Sequence, residues 1–163
     1  MRRTLAMWCV LAGLASPCVA LEKGESAPAL ELQTRDGQSL KVGLRGELVY
    51  VDFWASWCGP CKQSFPWMNE MHTRYGKQGL RVLAVNVDQK PADAARFLAV
   101  NPAQFDIGYD ATGASPRAFG VKTMPTSYLI DKQGTVLWKH AGFSPKDTAA
   151  LELALKAAIE GKP

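Results

Sequence analysis

The stretch VDFWASWCGPCKQSFPWM, residues 51–68, carries two cysteines three positions apart, where an apolar run gives way to a helical pattern. Cysteines at this spacing hold a metal, lock a loop, or pass electrons by opening and closing a disulfide. Each of these uses requires different residues elsewhere in the chain. The rest of the sequence therefore decides what Cys58 and Cys61 do.

The start of the chain has the pattern of a secretory leader. Two arginines precede an apolar run that ends in Ser-Pro-Cys-Val-Ala, a small-residue cleavage site. We predict a signal peptide over residues 1–20 and a single domain over residues 21–163, because a chain of 163 residues suits one hydrophobic core. An uncleaved leader that anchors the protein in a membrane through residues 5–16 is the alternative.

Cleavage of the leader changes both the cysteine count and the charge. It leaves Cys58 and Cys61 as the remaining thiols and lowers the formal charge from +4 to +2, since 19 basic residues become 17 against 15 acidic ones. The absence of a basic run or stripe excludes nucleic acid as a partner. A thiol pair in the periplasm, or in another exported location, forms a disulfide unless something reduces it. The presence of such a pair indicates a function in thiol–disulfide redox chemistry.

Strand and helix patterns alternate along the rest of the chain, which predicts an α/β fold with a mixed sheet. Asp36-Gly37 lies between two short alternating segments and predicts a β-hairpin. Buried strands are predicted over ELVYVDFW and LRVLAVNVD, because both runs are almost continuously apolar. A second hairpin is predicted from TSYLID to TVLWKHA.

Three longer helices are predicted between and after these strands. The first covers KQSFPWMNEMHTRY and contains Pro66, which predicts a kink. The second begins near Pro91, and the last begins at an N-cap, Ser144, with Pro145 in the first helical position.

The cysteine pair falls at a strand-to-helix junction, where unpaired backbone N–H groups and the helix dipole stabilise an anion. Cys58 is therefore the predicted nucleophilic thiolate. Cys61, one turn later, is the predicted resolving thiol, which attacks the mixed disulfide that Cys58 forms. Gly59 lets another backbone approach, and Pro60 suits the first helical turn.

Three other uses of the cysteines are weighed against redox exchange. A zinc site needs about four ligands, and beyond the two cysteines the exported chain offers only His72 and His140, neither in a metal-finger spacing. A static disulfide across so short a loop contributes little stability. A peroxidase of the peroxiredoxin kind requires a hydroxyl three residues before its cysteine, where this chain has Ala55.

Asp52 interrupts an apolar run, where an ionised carboxylate is costly to bury unless it is paired or protonated. One interpretation is a proton acceptor near Cys61 whose pKa is raised by burial. The other is a carboxylate at a strand end, bonded to backbone or solvent.

The segment VDFWASWCGPC resembles the thioredoxin active site almost letter for letter, with Asp52 in the position of that family's buried acid. TMPT, residues 123–126, resembles the family's cis-proline segment. The resemblance implies that Met124, Pro125 and Thr126 face the disulfide and pair with an extended substrate strand. It also places Trp57 over the thiols.

The leader, the Asp-Gly hairpin and the helix plus strand between NVDQK and MPTSYLID resemble the exported TlpA-like branch of this superfamily. That branch includes the reductants of cytochrome c maturation. Two departures stand out. Ala84 takes the place of a lysine that thioredoxins often have beside the buried acid, and Asp88 lies near a glutamate that is functional in some relatives. Asp88 is either a functional acid in this position or, in the interpretation we favour, a solvated loop acid.

The expected function is an exported thiol:disulfide oxidoreductase that reduces protein disulfides, since Gly59-Pro60 is the pair that the family's reducing members favour. Its expected partners are disulfide-containing clients and a membrane electron-donor protein, and the protein is expected to be a monomer. The Cys58–Cys61 disulfide is its only expected redox group, with no further cofactor and no metal. The alternatives are a disulfide oxidase or isomerase, or a protein that carries Cu(I) on its two thiolates.

Overall fold

The computed structural model of the chain describes residues 21–162. The predicted leader and its alternative, the anchor at residues 5–16, lie outside the described residues. Inside them, no helix is both long enough and apolar enough to span a bilayer.

The described residues form seven strands and four α-helices, and a short 3₁₀ turn over Gly76–Gln78 follows the first helix. In chain order the elements are β1 (Leu30–Gln33), β2 (Ser39–Val42), β3 (Leu48–Trp54), α1 (Gly59–Tyr75), β4 (Leu80–Asn86), α2 (Pro91–Val100), β5 (Asp106–Tyr109), α3 (Ala114–Ala118), β6 (Thr126–Ile130), β7 (Val136–Ala141) and α4 (Thr148–Ile159).

All seven strands join one sheet in the order β2-β1-β5-β4-β3-β6-β7. β3 pairs in parallel with β4, and in antiparallel fashion with β6. α2 and β5 form the predicted helix–strand insertion, and β5 connects the N-terminal hairpin to the centre of the sheet. The predicted α/β class with a mixed sheet and both hairpins is confirmed.

β3 lies inside the sheet, between β4 and β6, and all seven of its residues are buried. Because side chains alternate along a strand, its two faces enter two different hydrophobic clusters. Tyr50 and Trp54 pack with residues of α1, α2 and α4, whereas Val51 and Phe53 pack with the hairpin and with Phe119 after α3. Asp52, between Val51 and Phe53, therefore points to the α1 side.

α1 continues the chain directly after β3 and packs its apolar stripe against the first of these clusters. Seven of its residues are buried, in the order Cys61, Ser64, Phe65, Trp67, Met68, Met71 and Tyr75. The helix predicted over residues 62–75 is confirmed, although α1 begins three residues earlier, at Gly59. Pro66 lies inside it and is exposed, and the kink at Pro66 stays a prediction.

The predicted start of the last helix is wrong. α4 begins at Thr148 with Asp147 in the N-cap position, whereas Ser144 begins the turn that precedes it. In that turn the Ser144 N–H donates to the Asp147 carboxylate at 2.9 Å, and the Asp147 N–H donates to the Ser144 carbonyl at the same distance. The two residues thus stabilise a separate turn, which delays the helix.

Candidate active site

The cysteine pair lies at the junction between β3 and α1, with Cys58 in the N-cap position of α1. Cys58 and Cys61 are joined by a disulfide, and their Cα atoms are 5.4 Å apart. The Cys61 N–H donates to Cys58 Sγ at 3.2 Å. No acidic residue occupies the first turn of α1. Cys58 thus lies where the N–H groups of a helix start favour a sulfur that carries negative charge.

The two cysteines are buried, whereas the residues next to Cys58 in sequence are exposed to solvent. Cys58 is 3% exposed and Cys61 is fully buried. Trp57, by contrast, is 71% exposed, and Gly59 and Pro60 are also exposed. Trp57, Gly59 and Pro60 therefore form the exposed surface next to the disulfide in sequence, and Cys58 is the less buried of the two cysteines.

The Met124–Pro125 peptide bond is cis, as the resemblance implied. The segment is held from both sides: the Pro125 carbonyl accepts from the Gly142 N–H at 2.7 Å, and Thr126 Oγ1 donates to the Thr123 carbonyl at 2.8 Å. Thr126 pairs with Phe53 near the end of β3 that leads to Cys58, so this segment lies at the same sheet edge as the disulfide.

Asp52 is completely buried on the α1 side of β3. Its Oδ1 accepts from the Ser127 hydroxyl at 2.7 Å, and its Oδ2 is buried without a hydrogen-bond partner. Burial raises the pKa of Asp52 to about 7, and the Ser127 hydrogen bond opposes part of that rise. The alternative interpretation of Asp52, as a strand-end carboxylate bonded to backbone or solvent, is therefore wrong.

Ala84 lies directly opposite Asp52 in the pairing of β3 with β4. A methyl group thus occupies the position from which a lysine would contact the buried acid. The donor to Asp52 comes instead from the other side, because Ser127 of β6 is also directly opposite Asp52. Sequence reasoning missed Ser127, although a serine within the apolar run of TSYLI was a signal that could have identified it.

Asp88 is only 7% exposed, so its interpretation as a solvated loop acid is wrong. Its carboxylate accepts from the Ser56 N–H at 2.9 Å and from the Ser56 hydroxyl at 3.0 Å. It also accepts from the Asn86 side-chain amide at 2.9 Å. Asp88 therefore ties the loop before Cys58 to the end of β4.

The residues considered for zinc do not come together as a ligand set. Cys58 and Cys61 share a disulfide, His72 lies in the last turn of α1, and His140 lies in β7. Across residues 21–162, no three His, Cys, Asp or Glu side chains are grouped as metal ligands.

Comparison with known proteins gives a consistent result. The Redoxin family profile matches residues 22–155. The thiol-disulfide oxidoreductase ResA of Geobacillus thermodenitrificans is 36% identical over 118 residues, which are 72% of this chain and 68% of that protein.

Solved structures show the same relationship. A crystal structure from Chlorobium tepidum, assigned as the thiol:disulfide interchange protein DsbE, is 51% identical, with a TM-score of 0.82 over 86% of this chain and 99% of that one. The exposed lipoprotein thioredoxin of Streptococcus pneumoniae is 30% identical, with a TM-score of 0.65 over 79% of this chain and 99% of that one. The architecture is therefore the thioredoxin fold.

The contacts of Asp88 generate the first prediction. Asp88→Ala leaves the Ser56 N–H, the Ser56 hydroxyl and the Asn86 amide without their acceptor, so the free energy of unfolding should fall by about 1–3 kcal/mol. Amide hydrogen exchange at Ser56 should also become faster. The control is Asp106→Ala, which removes an exposed carboxylate paired with Arg81 and should cost less than about 1 kcal/mol. Equal losses in the two variants would contradict this account of the loop.

The burial of Asp52 generates a prediction about pH. Its pKa is about 7 in the folded protein against an ordinary 3.8, so the stability it contributes is fully present below pH 3.8 and is lost as the pH rises to about 7. The side chain of the Asp52→Asn variant cannot ionise. The free energy of unfolding of this variant, relative to that of the wild type, should therefore rise by up to about 4 kcal/mol between pH 4 and pH 8. Urea unfolding at both pH values measures the gain, and a gain that does not change with pH would refute it.

Proposed function

The chain belongs to the Redoxin family and is a thiol-disulfide oxidoreductase of the thioredoxin fold, and from this we propose that it reduces disulfides in exported client proteins. The observation that carries the proposal is the position of Cys58: its sulfur caps α1 and accepts the Cys61 N–H, and the residue before it, Trp57, is exposed. Such a sulfur leaves readily as a thiolate and attacks readily as one.

The reduced protein acts in two steps. The Cys58 thiolate attacks one sulfur of the client disulfide, which forms a mixed disulfide and releases the other client sulfur as a thiolate that takes a proton from solvent. Cys61 then attacks Cys58 Sγ and gives its proton to Asp52. The Cys58–Cys61 bond forms, the second client thiolate leaves, and two electrons have passed to the client.

Client binding uses the segment before β6. β6 begins at Thr126, so the backbone of Met124 precedes the hydrogen-bonded ladder of the sheet, which supports its proposed pairing with an extended client strand. A groove of about 350 Å³ runs beside Met124, with Val87 and Val121 among its lining residues. The exposed Trp57, Gly59 and Pro60 are the proposed client contacts beside Cys58.

The reducing direction requires a source of electrons outside the cytoplasm. We propose that a membrane electron-donor protein reduces the Cys58–Cys61 disulfide by the same exchange in reverse. An exported location is supported by the exposed lipoprotein thioredoxin among the similar structures. Apocytochrome c, whose haem-binding cysteines must be reduced, is the proposed class of client.

The roles of the two cysteines are tested by substitution. Cys58→Ser should abolish the reduction of insulin disulfides, because serine is not a nucleophile towards sulfur at neutral pH. Cys61→Ser should instead accumulate a Cys58-linked mixed disulfide, since the resolving thiol is missing. The measurement is insulin turnover together with mass spectrometry of the trapped adduct. Undiminished turnover by Cys58→Ser would sink the assignment.

The direction of electron flow is tested by the reduction potential. Equilibration of Cys58 and Cys61 in glutathione and dithiothreitol buffers should give about −270 mV, as for thioredoxin. A value near −120 mV, as for a strong oxidant, would show that this protein donates disulfides instead.

A further inference from the structure

Three buried side chains form a hydrogen-bonded chain behind the disulfide. The Tyr50 phenol donates to Ser127 Oγ at 2.8 Å, and the Ser127 hydroxyl donates to Asp52 Oδ1 at 2.7 Å. All three residues are at most 2% exposed. Because Asp52 and Ser127 are directly opposite each other in neighbouring central strands, the sheet itself fixes their separation.

The direction of these hydrogen bonds is set by Tyr50. Its ring packs edge-on against Trp67 and Trp138, with centroids 5.6 and 5.9 Å away. Burial, and then the negative charge of Asp52, raise the pKa of Tyr50 well above its usual value, so the phenol keeps its proton. A phenol that always donates to Ser127 leaves the single hydroxyl hydrogen of Ser127 for Asp52 Oδ1.

The two oxygens of Asp52 are therefore unequal. Oδ1 is occupied by the Ser127 hydrogen, whereas Oδ2 is buried and has no hydrogen-bond partner. A proton that arrives at this carboxylate finds its open acceptor at Oδ2.

The elements around Asp52 bring few other groups that titrate. Tyr50 of β3 and Cys61 of α1 share its face, β4 contributes only Ala84 opposite it, and β6 contributes Ser127. In β7, His140 lies opposite Ser127, with its Nε2 at 3.4 Å from Asp147. The buried residues of α4 are Leu151 and Leu155, and Glu152 of the same helix forms ion pairs with Lys156 and with Arg74.

We propose that Ser127, held by Tyr50, is a positioning residue for thiol-disulfide exchange: it fixes Asp52 through Oδ1 so that Oδ2 takes the proton of Cys61. This inference rests on the proposed role of Asp52 as proton acceptor. The Ser127 hydrogen bond stabilises the ionised carboxylate in a site where burial opposes ionisation. It thereby keeps part of the Asp52 population able to accept a proton at neutral pH, with no cation beside the acid among the described residues.

The first test measures Asp52 directly in the oxidised protein, by the carboxyl ¹³C shift as a function of pH. Loss of the donor in Ser127→Ala should move the Asp52 titration upward by about one pH unit. Tyr50→Phe, which removes only the phenol oxygen, should move it in the same direction by less. Ser127→Thr keeps the hydroxyl and should restore the wild-type titration.

The matched control is Ser115→Ala, which also removes a buried hydroxyl that donates to a buried carboxylate, that of Asp110, with no hydrogen bond to Tyr50, Asp52 or Ser127. It should leave the Asp52 titration unchanged. A titration that does not move in Ser127→Ala would overturn the inference, and so would an equal shift in Ser115→Ala. If Ser127→Ala fails to fold, Tyr50→Phe decides, and an unchanged titration in that variant overturns the inference.

The second test follows the resolving step, in which Cys61 displaces glutathione from a Cys58 mixed disulfide. The rate should rise with pH through the titration of Asp52, and in Ser127→Ala the inflection should move upward by about one pH unit, so that the step is roughly tenfold slower at pH 6. The rate of the resolving step at the high-pH plateau should equal that of the wild type, whereas a merely structural defect would lower the rate at every pH. An Asp52→Asn variant that resolves the mixed disulfide at the wild-type rate would refute the role of Asp52 as proton acceptor. If Asp52→Asn slows the step but the Ser127 and Tyr50 variants leave the pH dependence unchanged, only the positioning of Asp52 by these two residues is refuted.

Discussion

The pairing of β3 between β4 and β6 is the constraint on which the rest of the structure depends. Seven residue pairs join β3 to β4 and five join it to β6, so the register of β3 is fixed from both sides. Since side chains alternate along a strand, this register decides that Tyr50, Asp52 and Trp54 face α1. The same strand then leads directly into the helix that carries the cysteines, which brings the disulfide and the buried acid to the same side of the sheet.

The site combines solvent-exposed residues beside Cys58 with a buried interior. Trp57 and the Gly59-Pro60 turn are open to a client, whereas Cys61 and Asp52 are fully buried. This division suits a two-step exchange, because the first attack must reach another protein and the second must not be intercepted by solvent. A buried carboxylate destabilises the folded chain at neutral pH, which is a cost that a purely structural residue would not impose.

The loop between β3 and α1 is held by groups distant in sequence. Ser56 is bonded to Asp88 across 32 residues, and the cis segment at Pro125 is fastened to Gly142. The first anchor acts on the backbone two residues before Cys58, and the second acts on the segment that leads into β6, where Thr126 pairs with Phe53. Well-bonded loops of this kind keep the reacting sulfur in one geometry.

The sequence by itself determined most of the fold and the identity of the reactive pair. Apolar runs, the Asp-Gly turn and the helical spacing after Cys61 are local signals, and the Cys-Gly-Pro-Cys and Met-Pro-Thr segments are specific enough to predict the disulfide and the cis-proline. Only the tertiary structure decided the partners of the buried acids. Ser127 lies 75 residues from Asp52 and meets it through strand register, and Asp88 became a buried anchor because β4 ends beside Ser56. Ser144, too, is not at the predicted N-cap position, because it forms a separate turn with Asp147 that propensity alone does not specify. Hydrogen bonds across a sheet depend on which strands become neighbours, and that choice is made by the packing of the whole chain rather than by any short segment of it.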